Sequence, residues 1–297
     1  MRYGGIEAGG TKWVCAIGSG PDDLDELVTF PTTTPAETIE RAADFFASNG
    51  AVAAVGIGSF GPIDLQDGSP TWGWITTTPK PGWAGTDLGS ALGLALDVPI
   101  ALDTDVNAAA LGEHRWGAAV GLDTFCYITV GTGIGGGGMT NGRLMHGLQH
   151  PEFGHIRVPH DRDADPFEGV CPYHGDCLEG LASGEAIRAR WGSAAKDSED
   201  DRVWSLEAEY LALGLVNVIC TVSPQRIVLG GGVMKQARLL PLVRSRVRSL
   251  LAGYITAHEL EGDLNAYIVT PALGDRAGVL GSLELARARL SRRTRTG

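Results

Sequence analysis

The chain has 297 residues, 43% of them hydrophobic, with 24 Lys and Arg against 35 Asp and Glu and a net charge of -11. That size and hydrophobic content exclude a disordered segment and suffice for a full core in two packed lobes. The acidic balance argues against a nucleic-acid partner, no run approaches the roughly 18 to 20 consecutive apolar residues of a membrane span, and the opening MRYGGIEAGG has no charged-then-apolar leader, so a soluble, cytoplasmic protein is expected.

In chain order, RYGGIEAGG leads into TKWVCAIG as strand, glycine turn and strand around Gly9 and Gly10. The stretch TPAETIERAADFFASNG carries a helix start: Thr34 caps, Pro35 suits the first position and Glu37 completes a capping box. Ile39, Ala42, Ala43 and Phe46 mark its inner face, and Gly50 ends it. A strand follows at 51–59, and a second, PIALD at 99–103, runs directly into a helix beginning near Asp105. Glycines in RWGAAVGLD, near 115–122, divide an N-terminal lobe, 1–117, from a C-terminal lobe, 118–297.

The segment from Phe125 to Gly142 repeats the opening hairpin with a more glycine-rich turn, and two such hairpins, each heading half of the chain, indicate an internal duplication. Helices are expected near 178–191, 204–222, 234–253 and 276–292, with strands at 226–229 and 266–269. The last helix is free to pack back on the first lobe, and the basic tail RARLSRRTRTG reads as a solvated helix end. Strands alternating with helices give an α/β class.

Three glycine clusters stand out: GGIEAGGTK at 4–12, VGTGIGGGG at 130–138 and VLGGGV at 228–233. Each is a tight turn or a place where backbone N–H groups converge on an anion, and their recurrence favours phosphate binding. Gly131, Gly133 and Gly136 have dinucleotide-fingerprint spacing, but that motif must open a helix, and here a Thr-Asn-Gly turn follows instead. No Walker-type P-loop occurs. Turn amides at Gly9–Thr11 and Thr132–Gly133 can clasp the phosphates of ATP, with Lys12 and the hydroxyls of Thr11 and Thr132 assisting. VLGGGV is expected to enter the N-terminus of the 234–253 helix, which also suits nucleotide contacts.

Asp105 stands where a strand ends and a helix starts. It is either an N-cap or, since strand ends of open α/β sheets face ligand crevices and a helix N-terminus keeps a carboxylate ionised, a base that takes a hydroxyl proton. Asp103, two residues back inside the sheet, ranks second.

Cys171, His174 and Cys177 form Cys-x-x-His-x-x-Cys, three zinc-type ligands on one short loop. His155, ahead of His150 and His160, is the expected fourth ligand, and a disulfide between the two cysteines is the alternative. Such a closed site is structural and would pin the loop after Glu152, whose carboxylate then either meets substrate hydroxyls or forms a surface salt bridge. Cys15, Cys126 and Cys220 lie alone in apolar stretches and are expected to be small buried thiols.

Taken together, GIEAGGTK, TDVNAAALGE, VGTGIGGG, HPEFGH, CPYHGDCLEGLASG and VLGGGV resemble the ROK sugar kinases, in particular their zinc-containing fructokinase branch, over nearly the whole chain. The resemblance implies an actin-like fold of two ribonuclease-H-like lobes around an ATP and sugar cleft, and 6-phosphorylation of a hexose with Mg²⁺ as the ATP counter-ion. In it Asp105 is the general base, and His155, Cys171, His174 and Cys177 hold structural Zn²⁺. Gly9, Gly10, Thr11, Lys12, Thr132, Gly133, Gly230, Gly231, Gly232, Val233 and Met234 fall on the nucleotide side. Gly61, the TPKPGW loop with Pro81, Gly82 and Trp83, Asn107 and Glu152 fall on the sugar side.

Glu7 stands where many members of the family carry Asp and Thr104 where many carry Asn, both as in the fructokinase branch, and His174 replaces a cysteine common elsewhere in the family. Fructose is the expected substrate, ahead of mannose, glucose and N-acetylmannosamine, in a homodimer. A sugar-responsive repressor of the same family would need an added DNA-binding segment, against which stand the hairpin beginning at residue 3 and the acidic charge.

Overall fold

The computed structural model describes residues 1–192 and 199–293, so the last four residues of the basic tail lie outside the described residues. In chain order the strands and α-helices are β1 (Tyr3–Ala8), β2 (Lys12–Gly20), β3 (Asp23–Pro31), α1 (Pro35–Asn49), β4 (Val55–Ser59), β5 (Trp74–Ile75), β6 (Thr86–Asp87), α2 (Leu88–Leu96), β7 (Ile100–Thr104) and α3 (Asp105–Trp116). There follow β8 (Phe125–Val130), β9 (Ile134–Thr140), β10 (Arg143–Leu144), α4 (Leu178–Ala182), α5 (Gly184–Trp191), α6 (Asp201–Val222), β11 (Ile227–Gly230), α7 (Leu239–Leu251), β12 (Ile268–Val269) and α8 (Ala277–Arg293). Two compact units result: residues 1–121, 144–151 and 272–297, and residues 122–143 and 152–271. The first is thus discontinuous, where the sequence suggested one boundary at 117/118.

Each unit is built on a mixed five-stranded sheet of the same plan. The first has the order β3-β2-β1-β4-β7 and the second β10-β9-β8-β11-β12. In both, a leading antiparallel hairpin pairs in parallel with later strands, β1 with β4 and β8 with β11. The duplication suggested by two glycine-turn hairpins is therefore a duplication of whole sheets.

In the first unit, β2 shows why its sequence is apolar at nearly every position. Trp13, Cys15 and Ile17 join a core with Phe46, Trp83, Leu88 and Leu92 from the side of α1 and α2, while Val14 and Ala16 pack against Val279 of α8 on the other face. A strand covered on both faces loses its alternation. The start of α1 follows its capping signals: Thr34 Oγ1 accepts the Glu37 N–H, Pro35 occupies the first turn, and the helix stops at Gly50 with φ +98°. Thr38, Ala42 and Phe46 form its buried side, with Ile39 half-buried.

Helix α8 packs on β1, β4 and α3. The approach to α3 is close enough that a Cβ at Gly281 would stand 1.6 Å from the Ala108 carbonyl oxygen. Gly281→Val must therefore push two helices apart, at about 3 kcal/mol. We expect a drop of about 5 °C or more in thermal midpoint, read by differential scanning fluorimetry; an unchanged midpoint would contradict this packing. Glu113, fully buried at the end of α3, accepts N–H groups from Ala118 (2.6 Å), Ala272 (3.1 Å) and Leu273 (2.9 Å). These residues flank the first point where the chain leaves the first unit and the last point where it returns.

In the second unit, β8 and β11 carry buried side chains throughout or nearly so, and α6 packs beside α7. Helix α6 has the length and composition to cross a membrane, but half of that stretch is buried in the unit, together with Glu207, which marks it as a core helix.

Several elements depart from the sequence reading. The pattern did not disclose β3, an exposed edge strand with only Phe30 inside, nor α2, whose glycines dilute its apolar face. The helix expected over 178–191 breaks at Ser183, whose side chain caps α5 through the Ala186 N–H. The helix expected from 234 starts only at Leu239, after a 3-10 turn at Val233–Lys235, so VLGGGV does not enter a long helix. Cys15 and Cys126 are buried thiols, but Cys220 is exposed, because it lies on the outward side of α6.

Candidate functional site

In the first unit, β7 ends at Thr104 and α3 begins at Asp105. The N-cap is Thr104, whose Oγ1 accepts the Asn107 N–H at 3.1 Å; Asp105 is the first helical residue, and its Oδ1 accepts the Val106 N–H at 2.8 Å. The capping role is thus filled without Asp105. Burial pushes the Asp105 carboxyl up to about 6, against the pull of its backbone hydrogen bonds. Burial and then the Asp105 charge raise neighbouring Glu7 to about 7, with Lys12 opposing. Glu7 Oε2 has no hydrogen-bond partner among the described residues, and a Cβ at Gly278 would sit 2.5 Å from it. A half-buried pair of carboxylates, both held above the usual range, with one exposed lysine opposing the shift of Glu7, is a poised acid–base arrangement.

Asp103 is 4% exposed and fully engaged: it takes the Thr104 N–H and Asn107 Nδ2, each at 2.8 Å, and His146 Nε2 at 3.0–3.1 Å. Asn107 is buried, its Nδ2 donating to Asp103 and to the Met145 carbonyl and lying 3.4 Å from His146 Nε2. Among the other residues assigned to the sugar side, Pro81 and Gly82 are exposed. Trp83 is a core residue, its indole N–H on the Thr33 carbonyl and its ring against Trp13 and Phe60. Gly61 lies against His150, whose Nε2 accepts the Ile63 N–H at 3.1 Å. Glu152 belongs to the second unit, exposed at the start of the Phe153–His155 turn.

The β1–β2 turn is held by Gly9 N–H on the Lys12 carbonyl and by Thr32 Oγ1 on the Gly9 carbonyl. Among the described residues, no protein acceptor takes the N–H groups of Gly10 or Thr11, and Thr11 and Lys12 are exposed. In the second unit, the β8–β9 turn closes through Gly131 N–H on the Gly133 carbonyl, and Gly184 N–H bonds back to Gly131. Glu179 Oε2 accepts the Ile134 N–H at 2.8 Å and stands where a Cβ of Gly133 would be, 2.5 Å away, so this carboxylate fixes the Thr132–Gly133 turn. The sequence reading did not single out Glu179; its only signal is a place two residues after Cys177. At the end of β11, Gly231 has φ +97° and lies against Val130 so closely that a Cβ would fall 2.3 Å from its carbonyl oxygen, while Gly230 abuts Pro271 and Tyr127. Val233 and Met234 are buried.

His155, Cys171, His174 and Cys177 are brought together in the second unit, all four ligand atoms within 4.8 Å of one another. Cys171 Sγ is 3.7 Å from His155 Nδ1 and 3.6 Å from His174 Nδ1, and Cys177 Sγ is 3.6 Å from His155 Nδ1. Tetrahedral Zn²⁺ with its usual bond lengths separates S and N ligands by about 3.6 Å, so the four residues fit that ion. The local chain explains the cluster. His155 ends a 3-10 turn; Cys171 and Gly175 exchange backbone hydrogen bonds across a tight turn with Gly175 at φ +64°; and Cys177 stands directly before α4, its side chain not spent on a capping bond. Both thiols are unpaired, so the alternative of a disulfide is not taken up. His150 is spent on Ile63, and His160 faces Asp176 and the Asp165 carbonyl, which leaves His155 as the histidine that joins the loop triplet. Arg157 bridges the His174 carbonyl and Asp176 and so braces the loop from outside.

Residues 3–289 match the family model described as the ROK family. The chain is 47% identical to a putative fructokinase of Bacillus subtilis, over 99% of this chain and 98% of that protein. It is 45% identical to a fructokinase of Zymomonas mobilis, over 96% of each. The crystal structure of a ROK hexokinase from Thermus thermophilus matches with a TM-score of 0.78 at 27% identity, over 98% of this chain and all of that one.

Proposed function

The chain belongs to the ROK family of sugar kinases, with their actin-like fold, and on that premise we propose that it is a fructokinase, transferring the γ-phosphoryl group of ATP to the 6-hydroxyl of D-fructose. The observation that carries this reading is Asp105: a half-buried carboxylate with its pKa pushed up to about 6, at the first position of a helix, whose capping duty falls to Thr104. A base with a pKa near the working pH combines the right protonation state with a useful driving force for proton transfer.

In this reading Asp105 accepts the proton of the attacking hydroxyl, while the unbonded amides of Gly10 and Thr11, with Lys12, neutralise phosphate charge. The Thr132–Gly133 turn, set by Glu179, and the Gly230–Met234 segment serve the nucleotide. Pro81, Gly82, Gly61 and Glu152 serve the sugar, and Asn107 acts through Asp103. Phosphoryl transfer depends mainly on positioning and charge neutralisation, so backbone turns are suited to most of the work. Mg²⁺ enters with ATP as part of the substrate, and Glu7 Oε2 is the unpartnered carboxylate oxygen on hand for it. Zn²⁺ held by His155, Cys171, His174 and Cys177 has no open position and is structural. The reading also includes a cytoplasmic homodimer that engages neither nucleic acid nor membrane; light scattering in solution tests the dimer.

The experiment is coupled ADP release with Mg·ATP over a panel of hexoses. Fructose is expected to give the highest kcat/KM, with little ADP release in the absence of sugar; preference for another hexose, or sugar-independent ATP hydrolysis, would overturn the reading. The acid limb of the pH profile follows from Asp105. Only its ionised form accepts a proton, and its pKa in the ligand-free protein is raised to about 6, so the Asp105 limb of kcat/KM should fall tenfold per unit below that pH and level off above it. A limb near pH 4, where an unperturbed carboxylate titrates, would contradict the assignment.

A further inference from the structure

We propose that His146, held in place by Asp103, is a specificity-determining contact for a hydroxyl of the sugar; the proposal rests on the fructokinase reading. His146 lies on the 144–151 segment of the first unit, where its Nε2 meets both carboxylate oxygens of Asp103 at 3.0–3.1 Å. Its side chain is 41% exposed, whereas that of Asp103 is 5% exposed. An exposed imidazole thus stands on a buried carboxylate at the end of β7, two residues before Asp105.

The chemistry of this pair is directional. A carboxylate on Nε2 fixes the proton on that nitrogen and turns the other ring nitrogen away from the strand end. Among the described residues, Nδ1 of His146 has no partner. In the neutral ring it is an acceptor aimed away from Asp103, and protonation makes it a donor, so it suits a hydroxyl in either state. The Asp103 hydrogen bond favours the charged ring. Asn107 braces the arrangement, its Nδ2 lying 2.8 Å from Asp103 Oδ1 and 3.4 Å from both His146 Nε2 and the Met145 carbonyl. A mere clamp for the 144–151 segment would not need an exposed ring, because Asn107 and the Gln66–Leu148 and Ile63–His150 hydrogen bonds already hold it.

Two substitutions separate a sugar contact from a clamp. His146→Gln places an amide nitrogen where Nε2 was, keeping a donor to Asp103 while deleting the group at Nδ1. His146→Asn keeps a polar group near the Nδ1 position but loses the reach to Asp103. Each variant is assayed for KM of fructose, KM of ATP and thermal midpoint, and fructose binding is measured by calorimetry with a non-hydrolysable ATP analogue. The proposal expects His146→Gln to keep its midpoint and its KM for ATP while weakening fructose at least about tenfold and flattening the hexose ranking. His146→Gln with wild-type fructose affinity and ranking would overturn it, as would parallel losses for ATP and fructose in both variants, which is the signature of a clamp. Calorimetry keeps the two readings apart. If wild-type protein binds fructose without turning it over, the kinase reading fails while the contact is still measured; if it does not bind fructose, both fail.

Discussion

Asp105→Asn is expected to lower kcat with fructose by about 10²–10⁴-fold while leaving the KM for ATP within a factor of about three. The substitution is nearly isosteric, and the amide oxygen can still accept the Val106 N–H, so α3 keeps its start. Thr104, which caps the helix, is untouched. What disappears is the negative charge and its ability to take a proton. It also relieves Glu7, whose pKa the Asp105 charge helps to raise, so the variant should fold at least as stably as the wild type. Steady-state ADP release and a melting curve on the same preparation check both halves. Retention of more than a tenth of the turnover would remove Asp105 as the base.

Removing the metal is expected to have the second largest effect. The His155, Cys171, His174 and Cys177 cluster ties the Phe153–His155 turn to the 171–177 loop, and structural zinc contributes upwards of about 10 kcal/mol to the folding of small zinc domains. Cys177 also stands directly before α4, and α4 carries Glu179, whose Oε2 holds the Ile134 N–H at the end of the Thr132–Gly133 turn. Loss of the ion would therefore propagate within the second unit from a remote loop to the turn proposed to hold phosphate. We expect one zinc per chain by elemental analysis, and a fall of about 10 °C or more in thermal midpoint on exhaustive chelation, with loss of ATP affinity in step. Cys177→Ser should reproduce both effects. Zinc-free protein with an unchanged midpoint would contradict the structural role.

The features readable from sequence were those whose physics is local. The capping box at Thr34–Glu37, the two glycine-turn hairpins and Cys-x-x-His-x-x-Cys are each written within a few residues, and each appears in the structure where the spacing put it. The strand-to-helix junction at Asp105 was equally legible, although the cap is Thr104. What escaped depends on distant partners. Glu179 matters because α4 passes the β8–β9 turn, Glu113 because three backbone N–H groups converge on it from 118 and 272–273, and His146 because its segment returns to Asp103. Trp83, placed on the sugar side by the family resemblance of its loop, fills the core between Trp13 and Phe60. The late start of α7 has a similar cause: Gly231 must lie against Val130, and the chain needs a 3-10 turn before a helix can form.

The most direct test of the central claim is identification of the product. Purified protein is incubated with Mg·ATP and an equal amount of D-fructose, and the mixture is followed by ³¹P and ¹³C NMR. The account predicts that the γ-phosphate signal is replaced one for one by a phosphomonoester coupled to C6 of fructose, in amounts matching the ADP formed, and that Asp105→Asn slows the change at least about a hundredfold. Inorganic phosphate in place of a sugar phosphate, or an ester at C1, would contradict it.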